Sequence, residues 1–204
     1  MLHLRQFAPA LLLGLLSASA FASSTVYTAP APFMSQLVAG SYTENFNSLS
    51  DVPVGAVPFS GGGFSYTVSA PSDMYASGDF LGTSQVNEAL TISFTSGNVY
   101  AVGGNFFAVN YNDALQSVQV NLGLSDGTTV SFTPTTLASS FRGFVSTVAI
   151  TSLTFSAPGQ SLYASVDNLT VGTIPSAVPE PGTWALAGLG LAVIGAAARR
   201  RRAA

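Results

Sequence analysis

Between residues 42 and 171, apolar and polar residues alternate in short runs divided by Gly, Asn, Asp and Ser. Successive side chains of a strand point to opposite faces, so a period of two marks a strand with one buried face. Glu44-Asn45-Phe46 opens the first run. Phe64, Tyr66 and Val68 alternate with Ser65 and Thr67, and Leu90, Ile92 and Phe94 with Thr91 and Ser93. Residues 99–109 are apolar almost throughout and read as a strand with a bulge at Gly103-Gly104. The clearest hairpin follows. Val118, Val120, Leu122 and Leu124 alternate with polar residues, Ser125-Asp126-Gly127 supplies the turn, and Val130 and Phe132 return along the partner. Residues 141–145, 148–155 and 161–171 complete the strands. No stretch between residues 23 and 178 shows an amphipathic helix, and β-branched and aromatic residues fill the apolar positions. Many short strands with turn signals between them predict an all-β fold: an antiparallel β-sandwich over residues 42–173, jelly-roll-like rather than a barrel. Ahead of it, residues 23–41 are rich in Ser, Thr, Ala and Pro and read as a lead-in or first edge strand, since Pro30 and Pro32 do not suit a central one.

Both ends depart from this pattern. At the start, His3 and Arg5 precede an uncharged apolar run over residues 8–16, and Ala20-Phe21-Ala22 places small residues where an export peptidase reads them. Residues 1–22 are therefore predicted to be a signal peptide, helical until signal peptidase removes it before Ser23, with Ala18-Ser19-Ala20 as a second cleavage option. At the other end, residues 174–178 form a linker to Pro179-Glu180-Pro181-Gly182. An uncharged stretch follows over residues 183–198, then Arg199, Arg200, Arg201 and Arg202. As a helix that stretch spans roughly 24 Å, slightly short of a ~30 Å hydrocarbon core. Trp184 suits one interface and the four arginines suit the cytoplasmic side, so a transmembrane helix is expected with the domain outside the cytoplasm. Pro179 and Pro181 keep the motif ahead of it extended and accessible.

Removing both ends changes the charge. Arg142 is the one basic residue left against nine acids, giving about −8 where the whole chain carries −3. The exported part has no Lys, Cys or His. Nucleic-acid binding, which relies on Lys and Arg meeting phosphates, is excluded. So are Ser–His and Cys–His nucleophiles, zinc sites built on N and S ligands, and disulfide staples. Carboxylates, amides and hydroxyls remain, which suit hard cations such as calcium or contacts to carbohydrate.

The ordered set at the C-terminus closely resembles the PEP-CTERM sorting signal of Gram-negative bacteria. Pro179, Glu180 and Pro181 match its recognition motif, residues 183–198 its helix, and Arg199, Arg200, Arg201 and Arg202 its basic tail, so that residues 179–204 form the sorting segment. The resemblance implies recognition by exosortase, cleavage near the motif, a transient stay in the inner membrane, and release to the cell surface or extracellular matrix. Glu44-Asn45-Phe46, Phe141-Arg142-Gly143-Phe144 and Val166-Asp167-Asn168-Leu169 resemble, less specifically, jelly-roll domains common among PEP-CTERM proteins and similar to carbohydrate-binding modules. In those domains the first and last strands lie side by side and an acid from each can share a structural calcium. Glu44 and Asp167 are the matching pair here, with ordinary strand-end hydrogen bonding as the alternative.

Among ligand-binding candidates, Tyr75 and Tyr111 stand in loop-like surroundings near Asp73 and Asp113, where a ring can stack on a sugar. Tyr66, Tyr100 and Tyr163 read first as core. Arg142 is a candidate clamp for an acidic sugar, but is expected more strongly to form an ion pair with Asp113 or Asp167. Carboxylate pairs such as Asp73/Asp79 or Glu88/Asp113 can be written for a glycosidase, but nothing in the spacing selects one, and no catalytic residue is assigned. Asn168-Leu169-Thr170 fits an N-glycosylation pattern that a bacterial context leaves unused. The expected role is a non-enzymatic structural or adhesive component of an exopolysaccharide or biofilm matrix. The alternatives are a carbohydrate-binding module with a defined site, and a glycan hydrolase or lyase.

Overall fold

The computed structural model describes residues 24–49, 55–159, 161–175, 188–192, 194 and 199–200. The expected signal peptide, Pro179, Glu180, Pro181, Trp184, Arg201, Arg202 and most of the expected transmembrane stretch lie outside the described residues. Arg199 and Arg200 are exposed and helical. Among the described residues no helix is long and apolar enough to cross a membrane.

In chain order the elements are β1 (Thr25–Tyr27), α1 (Pro30–Met34), β2 (Tyr42–Glu44), β3 (Val57–Gly61), β4 (Phe64–Ser69), β5 (Met74–Ala76) and β6 (Leu81–Thr83). Then come β7 (Ala89–Phe94), β8 (Ala101–Val109), β9 (Leu115–Gln116), β10 (Val120–Leu124), β11 (Thr129–Phe132), a 3-10 turn (Ala138–Ser140), β12 (Phe141–Val145), β13 (Ser152–Ser156) and β14 (Tyr163–Gly172). They form two antiparallel sheets. The first runs β1-β12-β8-β14-β6-β5, with β2 added to β14 and β9 to β8. The second runs β11-β10-β13-β7-β4-β3.

The period-two runs became the strands of the second sheet. Phe64, Tyr66 and Val68 on β4, Leu90 and Ile92 on β7, and Leu122 and Leu124 on β10 turn inward into one core with Val102, Phe106, Val166 and Val171 of the first sheet. Phe106 meets Phe155 across the gap, ring centroids 5.6 Å apart. The hairpin closes as its residues dictate: Gly127 takes φ 88°, and its N–H donates to the Leu124 carbonyl at 3.0 Å.

β8 and β14 are buried on both faces, which explains why residues 99–109 lack alternation. Val102, Phe106 and Ala108 face the core. Ala101, Phe107 and Val109 face outward beneath two local covers. One cover is the lead-in. β1 pairs with β12, and α1 drops Phe33 onto the outer face beside Ala101 and Phe141. Residues 24–37 are thus part of the folded unit, and the five-residue helix within them corrects the helix-free expectation. Proline at the first turn of α1 costs nothing, since its missing N–H would be unpaired there. Gly103 and Gly143 leave the space for Phe33, so Gly103-Gly104 is a close-approach site rather than a bulge. The bulge lies across the ladder on β14, between Asp167 and Thr170, where Asn168 takes φ 52°.

Two carboxylates carry opposite electrostatic signatures. Burial acts to raise the pKa of Asp126, but hydrogen bonds from the Ser24 hydroxyl and from Thr128 outweigh it, and the net shift is downward. Its stabilising effect is present above the ordinary carboxylate pKa and is lost as pH falls through the lowered value. Asp167 is shifted upward, by burial first and by the charge of Asp79, against the hydrogen bond from the Asn168 N–H. Its protonated form suits the fold, so stability from this group is full below the unfolded pKa and is lost as pH rises through the raised value. Thermal unfolding between about pH 3 and 7 is expected to show Asp126→Asn losing stability at neutral pH and little in acid. Asp167→Asn gains relative to wild type toward neutral pH. Parallel curves for all three proteins would contradict both assignments.

Candidate functional site

The site lies on the outer face of the first sheet, at the end away from Phe33. The outward positions of β5, β8 and β14 there are Tyr75, Phe107, Val109 and Tyr163. Phe80 packs between them, edge-on to Phe107 at 5.6 Å and to Tyr75 at 6.2 Å, and makes a rigid apolar floor. The loop after β8 forms the wall. The Asn110 side-chain oxygen accepts the N–H groups of Asn112 at 2.9 Å and Ala114 at 3.2 Å, and Asp113 closes the turn at φ 58°. That turn pushes Tyr111 outward, leaving it 88% exposed. The Tyr75 hydroxyl donates to Asp113 Oδ2 at 2.8 Å and ties β5 to the loop. This hydrogen bond, followed by burial, raises the Tyr75 pKa.

Two cavities result. The first, about 340 Å³, is lined by Tyr75, Tyr111, Tyr163, Asp113, Asn110 and Ser84, among others. The second, about 430 Å³, shares Asp113 as a wall and adds Asp79, Leu115, Thr135 and Thr136 over the Phe80–Phe107 floor. Three tyrosines and a carboxylate at a concave, half-apolar surface can stack a ring and hold its hydroxyl or amino groups.

Tyr75 and Tyr111 are therefore brought together, with Asp113 as their shared acid. Tyr163, read first as core, joins them. The Asp73 backbone carbonyl accepts from Ser84, Glu88 accepts from the N–H and hydroxyl of Ser72, and neither residue lines either cavity. The acids that share a cavity are Asp79 and Asp113. Tyr66 is core, its hydroxyl buried without a partner among the described residues and its pKa raised by burial. Tyr100 precedes the opposite end of β8. Asn110 was missed. Its signal was Asn-x-Asn-Asp after a strand, a turn that holds itself.

The structure does not bring Glu44 and Asp167 together. β2 lies beside β14, as the resemblance implies, but Glu44 stands opposite core-facing Leu169 while Asp167 stands opposite outward-facing Asn105. The bulge at Asn168 puts the two carboxylates on opposite faces of the sheet. Glu44 accepts from the Tyr42 hydroxyl and from the N–H of Phe46, a buried residue held at φ 56°. Burial, then the bond to Glu44, pushes the Tyr42 pKa up to about 12. Asp167 accepts from the backbone and side chain of Asn168 at 2.6 and 2.7 Å. Among the described residues no three His, Cys, Asp or Glu side chains gather as a metal site would need.

Arg142 corrects the ion-pair expectation. It points to the inner face, opposite Gly104, with its guanidinium 3.6 Å from the Phe132 ring centroid. Its hydrogen bonds go to the carbonyls of Ser139 and Phe141, not to Asp113 or Asp167. Burial lowers its pKa. It takes no part in either cavity.

Among the described residues the fold is thus an all-β domain with an aromatic–acidic groove on its outer face. A family model described as the PEP-CTERM protein-sorting motif matches residues 177–202, so the chain carries that signal. It is an exported protein sorted by exosortase and held transiently at the membrane before processing. Neither the curated proteins nor the solved structures offer a match to this chain.

Proposed function

We propose that the mature protein is a non-enzymatic, adhesive component of an extracellular polysaccharide or biofilm matrix at the surface of a Gram-negative cell, and that it holds glycan in the groove at Tyr75, Tyr111 and Tyr163. The observation that carries this is the exposure of Tyr111 over a cavity whose other walls are already rigid. A large aromatic ring held out in water by a self-bonded turn does nothing for folding. In this reading the two sheets are a jelly-roll-like sandwich similar to carbohydrate-binding modules, a comparison supported by β2 lying next to the last strand. Signal peptidase removes residues 1–22, and the apolar stretch before the arginine tail spans the inner membrane until exosortase acts. Structural calcium at Glu44 and Asp167 forms no part of the proposal. Binding is preferred to hydrolysis because Asp113 is committed to Tyr75 rather than poised to move a proton.

The test is co-sedimentation of the mature released protein with the host's own exopolysaccharide. Tyr111→Ala is expected to weaken retention at least roughly tenfold, as for an aromatic anchor at the centre of a contact. Unfolding is expected to be unchanged, because the side chain is exposed. Equal retention by wild type and Tyr111→Ala would sink the reading.

A further inference from the structure

We propose that the groove selects a glycan carrying unblocked amino groups, a hexosamine chain with free ammonium substituents, and that Asp113 is the counter-charge that reads them. The inference rests on the glycan reading above and adds the charge of the sugar.

The wall common to both cavities is a carboxylate, and a second, Asp79, stands in the larger cavity. Among the described residues no Lys, Arg or His lines either one. The sole base of the exported part, Arg142, is turned to the other face of the sheet and engaged by Phe132. A uronic-acid chain would therefore bring its charges against Asp113 and Asp79 with nothing to compensate, on a domain that carries eight acids and one base over residues 42–173, a net charge of about −7. An ammonium meets the opposite situation. Asp113 Oδ2 is fixed by Tyr75, and among the described residues Oδ1 accepts no hydrogen bond. The Tyr75, Tyr111 and Tyr163 rings border the same 340 Å³ space, and aromatic faces attract cations within ~6 Å of their centroids. A carboxylate ringed by tyrosines recognises a cation on both counts, through the charge and through the ring quadrupoles. The Asn110 turn and the Tyr75 hydrogen bond hold the carboxylate in place before any ligand arrives.

Titration calorimetry of the mature protein with three oligomers separates the outcomes: a glucosamine hexamer, its fully N-acetylated counterpart, and a galacturonic-acid hexamer. The glucosamine oligomer is expected to bind at least roughly tenfold tighter than the N-acetylated one, with affinity falling as salt is added. Asp113→Asn is expected to erase that preference. Asparagine tolerates positive φ and keeps an acceptor for the Tyr75 hydroxyl, so the loop survives the change. Tyr111→Ala should weaken every oligomer that binds. If the N-acetylated or galacturonic-acid oligomer binds as tightly as the amine, the charge inference is overturned and the glycan reading stands. If no oligomer binds, and the host polysaccharide is not retained either, both fall together.

Discussion

Replacing Pro179, Glu180 and Pro181 together by alanine is expected to abolish the released form of the protein almost completely and leave a full-length C-terminus in the membrane fraction. The three residues fall within the matched sorting segment at residues 177–202. The expected reason is that the processing enzyme reads the motif as an extended, accessible segment. Two prolines fix φ and block a helix from running back out of the apolar stretch. Alanine, the best helix former, removes that stop and the carboxylate with it. Intact mass of membrane and released fractions reads the result directly. A membrane species retaining Arg199, Arg200, Arg201 and Arg202 is the expected product. Undiminished release, with the same C-terminal mass as wild type, would show that the motif is not what the processing enzyme recognises. The domain should be unaffected, because its described apolar packing ends at Ile174, ahead of the motif.

Phe33→Ala is expected to destabilise the folded domain by about 3–5 kcal/mol, as for other large buried aromatics cut to alanine. That is a large part of the ~5–15 kcal/mol that holds a typical domain folded. Phe33 is 0% exposed and meets the rings of Phe141 at 5.7 Å and Tyr27 at 6.3 Å. It lies in a trough that exists because two neighbouring strands carry glycine. A Cβ on Gly143 would stand 2.5 Å from the Phe33 ring, and one on Gly103 2.8 Å from it. Gly143→Val should therefore expel the same ring and cost a comparable amount, this time through overpacking. Denaturant unfolding of the mature protein measures both. A loss under about 1 kcal/mol for Phe33→Ala would mean that residues 24–37 rest on the sheet without contributing to it.

The elements legible in the sequence were those whose signal is local. Alternation at Phe64, Tyr66 and Val68 and at Leu90, Ile92 and Phe94 reports one buried face. Ser125-Asp126-Gly127 reports a turn because glycine relieves positive φ there. β5 and β6, three residues each, are too short for a period to register. The Phe33 strap was hidden because two prolines and a Ser/Thr-rich context resemble a linker. Its purpose lies in Gly103 and Gly143, far away in the chain.

By itself the sequence determined the all-β class, the sorting motif at residues 177–202, and an acidic stretch from residue 23 to 178 with one base and neither His nor Cys. Those are properties of composition and near-neighbour order, and folding does not alter them. Only the tertiary structure decided which polar residues meet. Tyr75 and Asp113 are joined because β5, β6, β14 and β8 lie side by side, a non-local pairing. Glu44 and Asp167 are separated because one extra residue on β14 reverses the side to which a strand points. Arg142, the one base between residues 23 and 178, finds a ring instead of an acid for the same reason: alternation along a strand assigns each side chain a face, and the register of its neighbours assigns what it finds there.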